Sequence, residues 1–226
     1  MMQQRNPHDV PDISGHTIAV LGGTGDQGRG LAHRFAQAGH QVTIGSRNAE
    51  RAQQAATELG SRVRGLDNAG AAAAADLVIV AVPWEGHREL LASLDKELSG
   101  KIVVDCVNPL GFDKRGPFAL RVEEGSAAQQ AEAVLADSRV VAAFHHVSSE
   151  ELLNPDVTEM DMDVLVLGDD REATDVVRAL ANQIPGMRGV FGGRLRNAHQ
   201  VEALTANLIA INRRYKAQSG IRITDV

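Results

Sequence analysis

The chain has 226 residues, of which 43% are hydrophobic, enough for one substantial core or for a domain and a half. Its net charge of −6 argues against general affinity for nucleic acid or for a membrane surface. The single cysteine, Cys106, excludes internal disulfides and multi-cysteine metal sites, and no segment approaches the ~20 apolar residues of a membrane span. We therefore expect a cytoplasmic protein whose partners are small molecules.

The first predicted elements surround a glycine-rich turn. Residues 1–15 are polar and predict a flexible N-terminal extension rather than a signal peptide. An apolar strand at residues 18–21, a turn, a helix that stops at Gly39 and a strand at residues 42–44 follow in that order. This order is typical of a dinucleotide-binding unit, whose glycines let the backbone approach a pyrophosphate at the helix N-terminus. The turn matches G-x-G-x-x-G through Gly23, Thr24, Gly25, Asp26, Gln27 and Gly28.

The end of the second strand indicates which dinucleotide would bind. An NAD site usually has an acidic residue there, which binds the ribose 2′-hydroxyl. This chain instead has Ser46 and Arg47, with Arg51 one helical turn later. A hydroxyl and two guanidinium groups suit a 2′-phosphate, so the pattern predicts NADP(H); the alternative is that both arginines are merely solvated.

The remaining elements alternate as expected for an α/β chain. An unbroken apolar run at residues 77–82 predicts a central parallel strand that is covered on both faces. Further strands are predicted at residues 62–66, 101–107, 140–144, 164–167 and around 190. Helices are predicted at 48–59, 67–75, 87–98, 126–135, 171–183 and 197–216, and a loop at 108–117. We predict an α/β fold with a Rossmann-type doubly wound parallel sheet at residues 16–150, and a smaller C-terminal α/β lobe at 151–226 that ends in a long helix.

Ligands of open parallel sheets bind beyond the carboxyl ends of the strands. Trp84, the only tryptophan, follows the fourth strand and could either line a nicotinamide or cover the sheet edge. His145 and His146 end the sixth strand, where neighbours on an extended chain point to opposite faces, so one would face the cleft and the other would be structural. The other residues at these strand ends are Val82, Pro83, Asn108, Pro109 and Val147.

The chain shows no metal-binding or nucleophilic arrangement. The two histidines lack a cysteine or a further histidine at ligand spacing, so no metal is expected. No Ser–His–Asp, Cys–His or paired-carboxylate pattern is present, which fits hydride transfer, where the cofactor carries the chemistry and no side chain acts as catalyst. The last third also has a basic cluster that could bind an anion: Arg188, Arg194, Arg196, His199, Arg213, Arg214 and Lys216.

Several motifs together resemble one enzyme family over nearly the whole chain from His16. They are GGTGDQGRGLAHRFAQAGHQVTIGSR, AVPWEGH, DCVNPLGF, EGSAAQQ, AAFHHV and VEALTANLIAINRRYKAQSGIRIT. They are similar to the NADPH-dependent reductases of the 8-hydroxy-5-deazaflavin coenzyme F420. The resemblance implies reversible direct hydride transfer between NADP(H) and F420 as co-substrate, without metal or covalent intermediate, and a homodimer formed through the C-terminal lobes.

The resemblance also assigns residues. The phosphate turn would be Thr24 to Gln27, and the 2′-phosphate contacts would be Ser46, Arg47 and Arg51. Val82, Asn108 and Ser149 correspond to other NADP contacts, while His145, Val147 and Leu208 correspond to deazaflavin contacts. Two alternatives are an NADPH-dependent reductase of a small imine or keto substrate, which would need a proton donor that does not stand out here, and a non-catalytic NADP-binding redox sensor.

Overall fold

The structure is a computed structural model that describes residue 6 and residues 8–226. These residues form ten strands, numbered in chain order as β1 (Ile18–Leu21), β2 (Val42–Ser46), β3 (Val63–Asp67), β4 (Leu77–Val80), β5 (Ile102–Asp105), β6 (Leu110–Asp113), β7 (Gly116–Ala119), β8 (Arg139–Ala142), β9 (Met162–Gly168) and β10 (Met187–Gly193). The α-helices are α1 (Asp26–Gln37), α2 (Ala49–Leu59), α3 (Asn68–Ala73), α4 (His87–Ser93), α5 (Asp95–Leu98), α6 (Ala127–Val134), α7 (Ser149–Leu153), α8 (Arg171–Ala181) and α9 (Ala198–Tyr215). None of these helices is long and apolar enough to cross a bilayer.

Eight strands form one sheet in the order β10-β9-β8-β5-β4-β1-β2-β3. The six strands from β3 to β8 in this order are parallel, and their sequence follows the 3-2-1-4-5-6 arrangement of the dinucleotide-binding fold. The predicted Rossmann-type α/β fold is therefore confirmed. The two strands of the predicted C-terminal lobe extend the same sheet: β9 pairs antiparallel with β8, and β10 pairs parallel with β9.

Both faces of the sheet are covered, which explains why the central strands are continuously apolar. Alternate residues of a strand point to opposite faces. On one face, Val20 packs in a cluster with Leu31 and Phe35 of α1. On the other, Leu21 packs in a cluster with Leu91 of α4. The layered core fixes the carboxyl ends of β1, β2, β4, β5 and β8 along one edge, where the predicted ligand residues lie.

Several local predictions differ from the structure. Residues 108–117 were predicted as a loop, but β6 and β7 form an antiparallel hairpin there, in which Leu110 pairs with Ala119. The short helix α7 was not predicted, and the fourth strand ends at Val80 rather than at residue 82. In the predicted flexible extension, Ile13 is buried in the core, and residues 1–5 and 7 lie outside the described part of the chain.

Candidate active site

The glycine turn brings open backbone N–H groups to the carboxyl end of β1. Helix α1 begins at Asp26, and its N-cap, Gly25, offers no side chain to the first N–H groups. Gly22 has a φ of +75°, and a Cβ on it would lie 2.4 Å from the Ala81 oxygen. A Cβ on Gly28 would lie 2.6 Å from the Gly22 oxygen, so the turn has no room for side chains. The exposed N–H groups and the helix dipole form a site for an anion such as a pyrophosphate.

A cleft of about 380 Å³ joins this turn to the ends of β2 and β4. It contains seven of the predicted residues: Thr24, Gly25, Ser46, Arg47, Arg51, Val82 and Pro83. The other lining residues were not among the predicted site residues; they are Gly22, Asn48, Asn68, Ala81, Glu85, Gly86 and Leu90. Most of these are next to predicted residues in sequence. Asn68 is not, because it reaches the cleft only through the pairing of β2 with β3.

The basic wall of the cleft is formed by the start of α2. Asn48 is the N-cap, and its Oδ1 accepts a hydrogen bond of 3.0 Å from the Arg51 N–H. The Ser46 Oγ accepts a hydrogen bond of 3.2 Å from the Asn48 N–H, which fixes the bend between strand and helix. Arg47 and Arg51 are exposed, and within the described residues neither guanidinium forms an ion pair. Both guanidinium groups are therefore available to an anionic ligand.

Trp84 is not among the residues that line this cleft. Its indole instead lies beside the imidazole of His87, with 5.6 Å between the ring centroids and an angle of 32° between the rings. The neighbouring residues of the segment, Pro83, Glu85 and Gly86, do line the cleft. We call residues 83–86 the cleft segment. Trp84 anchors this segment on the side away from the cleft.

The ends of β5 and β8 meet through the main chain of His145. The His145 oxygen accepts a hydrogen bond of 2.8 Å from Asn108 Nδ2 and one of 3.0 Å from Thr205 Oγ1 of α9. The Asn108 Oδ1 is buried and has no hydrogen-bond partner within the described residues. These bonds bring the predicted Asn108 and His145 together and add Thr205, which sequence reasoning missed.

Both histidines are buried in a turn, whereas we predicted an extended pair. His145 is 3% exposed, and neither of its ring nitrogens forms a hydrogen bond of normal geometry within the described residues. His146 is 5% exposed, and its Nε2 accepts a long hydrogen bond of 3.5 Å from the Leu165 N–H. Burial lowers the pKa of each histidine to about 4, so both rings are neutral at pH 7. The turn begins at Phe144, whose φ is +63°.

The other predicted residues lie just after this turn, at the start of the hairpin and on α9. Val147 is buried, Pro109 opens the hairpin, and Ser149 starts α7 after the capping residue Ser148. Leu208 is buried on α9. Gln27 Nε2 donates a hydrogen bond of 3.3 Å to the Phe144 oxygen and so links the glycine turn to the turn with the two histidines. Within the described residues, no group of three or more metal-ligating side chains is found.

The C-terminal basic cluster includes two residues that are held by carboxylates. Arg188 donates hydrogen bonds of 2.7 and 2.8 Å to the two oxygens of Asp163, which is completely buried. Arg194 donates to the Asp169 carboxylate at 3.3 Å. Arg188 also donates to the main-chain oxygens of Ile223 and Val226, so its role is to fix the C-terminal segment.

Comparison with known proteins points to one family. Residues 17–109 match a family model described as NADP oxidoreductase coenzyme F420-dependent. An F420-dependent NADP reductase of Methanothermobacter thermautotrophicus is 42% identical over 222 residues, covering 92% of this chain and 95% of the relative. A solved structure of a candidate F420-dependent NADP reductase from Arthrobacter sp. FB24 has a TM-score of 0.79 at 28% identity, covering 93% of this chain and all of the other. A pyrroline-5-carboxylate reductase of Coxiella burnetii has a TM-score of 0.62 at 15% identity, covering 88% of this chain and 67% of its own, which shows a shared fold alone.

Proposed function

Because this chain belongs to the coenzyme F420-dependent NADP oxidoreductases and is an NADP-dependent F420 oxidoreductase, we propose that it binds NADP(H) in the cleft between the glycine turn and the cleft segment. The observation that carries this assignment is the joining of three features in one cleft: the open N-terminus of α1, the hydroxyl of Ser46 and the two unpaired arginines. NADP(H) and F420 are both substrates, and hydride passes directly between the nicotinamide and the deazaflavin ring.

The pyrophosphate would lie on the N-terminus of α1. The N–H groups after Gly25 lack a side-chain cap, and the glycines at positions 22 and 28 let the main chain pack into a tight turn with these groups at its surface. Thr24, Asp26 and Gln27 complete the turn. Among these, Asp26 has its carboxylate in the first helical turn, so we expect its backbone rather than its side chain to face the phosphates.

The 2′-phosphate of NADP would lie between Ser46, Arg47 and Arg51. A guanidinium donates in a planar fork that matches phosphate oxygens. The α2 N-terminus adds the positive end of its dipole. No carboxylate among the lining residues from the β2 end would repel the phosphate, since Glu85 lies on the opposite wall in the cleft segment.

The two rings would meet beside the turn that carries the histidines. We assign the nicotinamide side to Val82, Pro83, Asn108 and Ser149, with Trp84 acting from behind the cleft segment. The deazaflavin side would comprise Pro109, His145, Val147 and Leu208. The Asn108 Oδ1 supports this assignment, because it is buried without a hydrogen-bond partner within the described residues and a ligand group could supply one.

These residues contribute position rather than covalent chemistry. Neutral His145 can donate or accept a hydrogen bond at a ring without adding charge at neutral pH. Asn108 and Thr205 hold the His145 main chain from two sides, so the floor under the rings is fixed before ligands bind. Rate acceleration then comes mainly from stacking the two rings in a near-attack arrangement.

We also propose a homodimer formed through residues 151–226, to which the β6–β7 hairpin adds contacts, while the rest of residues 16–150 supplies the nucleotide site. The hairpin and α9 pack together and leave four large apolar side chains exposed: Phe112, Phe118, Ile211 and Tyr215. Such a patch is typical of an interface. The buried free thiol of Cys106 fits a cytoplasmic location, where thiols stay reduced.

The direct test mixes the purified protein with NADPH and oxidised F420 and follows the loss of the deazaflavin absorbance. We expect fast bleaching with NADPH and much slower bleaching with NADH. Tight NADPH binding without bleaching would refute the assignment and favour a small imine or keto substrate. NADPH binding without turnover of any acceptor would favour the redox sensor.

A further inference from the structure

A completely buried histidine lies directly behind one wall of the proposed NADP cleft. His87 is the first residue of α4 and follows the cleft segment. Its side chain is 0% exposed, so it contacts protein groups only. His87 takes no direct part in hydride transfer between the two rings.

The imidazole of His87 joins two elements through both of its nitrogens. Its Nε2 lies 2.6 Å from Asp105 Oδ2 at the end of β5, and its Nδ1 lies 3.0 Å from Gln130 Oε1 on α6. The Gln130 amide is oriented by a second bond, since its Nε2 donates to Glu124 Oε2 at 3.2 Å. Both neighbours of the ring are therefore acceptors. A ring that donates from both nitrogens is an imidazolium.

The surrounding charges favour this protonated form. Burial alone opposes it, but the charge of Asp105 and the hydrogen bonds to Asp105 and Gln130 outweigh burial and raise the pKa of His87. Glu202 of α9, 3% exposed, also stabilises the charge, while Glu124 is paired with Arg88. Two other titratable groups interact with Asp105, and both are neutral at pH 7: burial lowers the pKa of His145 to about 4, and burial and the charge of Asp105 raise the pKa of the Cys106 thiol.

The imidazole of His87 also contacts the cleft segment and, through Asp105, the turn that leads to Asn108. The indole of Trp84 lies 5.6 Å away, within the range of a cation–π contact. The second carboxylate oxygen of Asp105 accepts a hydrogen bond of 3.0 Å from the Val107 N–H, which shapes the turn leading to Asn108. His87 thus connects the cleft segment to the strand end that carries Asn108.

We propose that His87 is a positioning residue for NADP(H): its buried imidazolium, held between Asp105 and Gln130 and lying beside the Trp84 indole, fixes the cleft segment against the nucleotide. This proposal rests on the placement of NADP(H) in the cleft given above. It explains why a charged pair lies in a core position, where two apolar side chains would cost less to bury.

The test compares His87→Gln with His40→Gln in the full chain. Glutamine at position 87 can still donate to Asp105 but loses the charge and the ring. His40 is another buried histidine, bonded through Nδ1 at 3.4 Å to the His16 oxygen, near the amino ends of the strands and away from the cleft. We expect His87→Gln to raise the KM for NADPH about tenfold while the KM for F420 stays within about twofold, and His40→Gln to change neither.

The fluorescence of Trp84 provides a second measurement, which would not change with pH if His87 had only a structural role. Trp84 is the only tryptophan, and a nearby imidazolium quenches indole fluorescence. Fluorescence of the unmodified protein should therefore rise with pH through the raised pKa of His87, and the KM for NADPH should rise over the same range. His87→Gln should be bright at every pH, and His40→Gln should titrate as the unmodified protein does.

Unchanged NADPH binding in folded His87→Gln would overturn the proposal. If that variant does not fold, Trp84→Leu replaces it, with Trp84→Phe as the matched control that keeps an aromatic face. We expect leucine to raise the KM for NADPH several-fold more than phenylalanine does, and equal values for the two would overturn the proposal. Failure of the unmodified protein to bleach F420 would refute the function instead, because NADPH affinity can be measured without F420.

Discussion

Replacement of Arg47 by alanine should weaken NADPH selectively. Arg47 is exposed, forms no ion pair within the described residues, and lines the same cleft as Ser46 and Arg51. A hydrogen bond to a charged group is worth about 1.5–3 kcal/mol, and solvent screening at an exposed site favours the lower end. A loss of about 1.4 kcal/mol corresponds to a tenfold change in binding. We therefore expect kcat/KM for NADPH to fall about tenfold.

The assay measures F420 reduction with NADPH and with NADH at two ionic strengths. NADH lacks the 2′-phosphate, so its kcat/KM should not change and the preference for NADPH should fall about tenfold. The effect should shrink at high salt, because added ions screen an exposed charge pair. The control is Arg62→Ala. Arg62 is an exposed arginine that precedes β3, at the amino ends of the strands and so away from the cleft. An unchanged NADPH to NADH ratio in Arg47→Ala would refute the placement of the 2′-phosphate.

Three further changes test other parts of the structure. Arg34→Ala should lower the free energy of unfolding in urea by about 3 kcal/mol, because the buried guanidinium donates to four main-chain oxygens in and after α7 that would lose their partners. Gly28→Ala should abolish NADPH binding by calorimetry, since its Cβ would lie 2.6 Å from the Gly22 oxygen. Burial raises the pKa of Glu202 to about 7, so the folded protein holds this proton more tightly than the unfolded chain and stability falls as pH rises from about 4.5 to about 7. Glu202→Gln should remove up to about 3 kcal/mol of that pH dependence in urea titrations.

The nucleotide-binding half could be predicted because its signals are local. Strands β1 and β4 are continuous apolar runs, and the glycines between β1 and α1 are required by backbone geometry at single positions such as Gly22 and Gly28. The helix predicted to begin at residue 67 is also local, because Asp67 is the N-cap of α3 and its Oδ1 accepts a hydrogen bond of 2.6 Å from the Gly70 N–H. Each of these features depends on residues close in sequence, so the local sequence pattern is sufficient to predict it.

The features that were missed depend on contacts between distant residues. The glycines and prolines of residues 108–117 predict a loop, yet the segment forms a hairpin that is packed against α9. The ring of Phe118 covers Gly111, where a Cβ would lie 2.4 Å from the ring. Helix α7 has only five residues and is held by Arg34, more than a hundred positions earlier. Neither the packing of the hairpin on α9 nor the hydrogen bonds of Arg34 can be predicted from the local sequence pattern.

The buried pair of His87 and Asp105 shows a signal that the sequence did contain. Asp105 stands within the apolar run from Ile102 to Val107, at a position where a strand is covered on both faces. A carboxylate there is costly to bury unless a positive or hydrogen-bonding partner meets it, so its presence required such a partner somewhere in the chain. Only the parallel pairing of β4 with β5 brings the start of α4 to that carboxylate and identifies His87. The sequence could thus reveal that a partner must exist, whereas its identity depended on the topology.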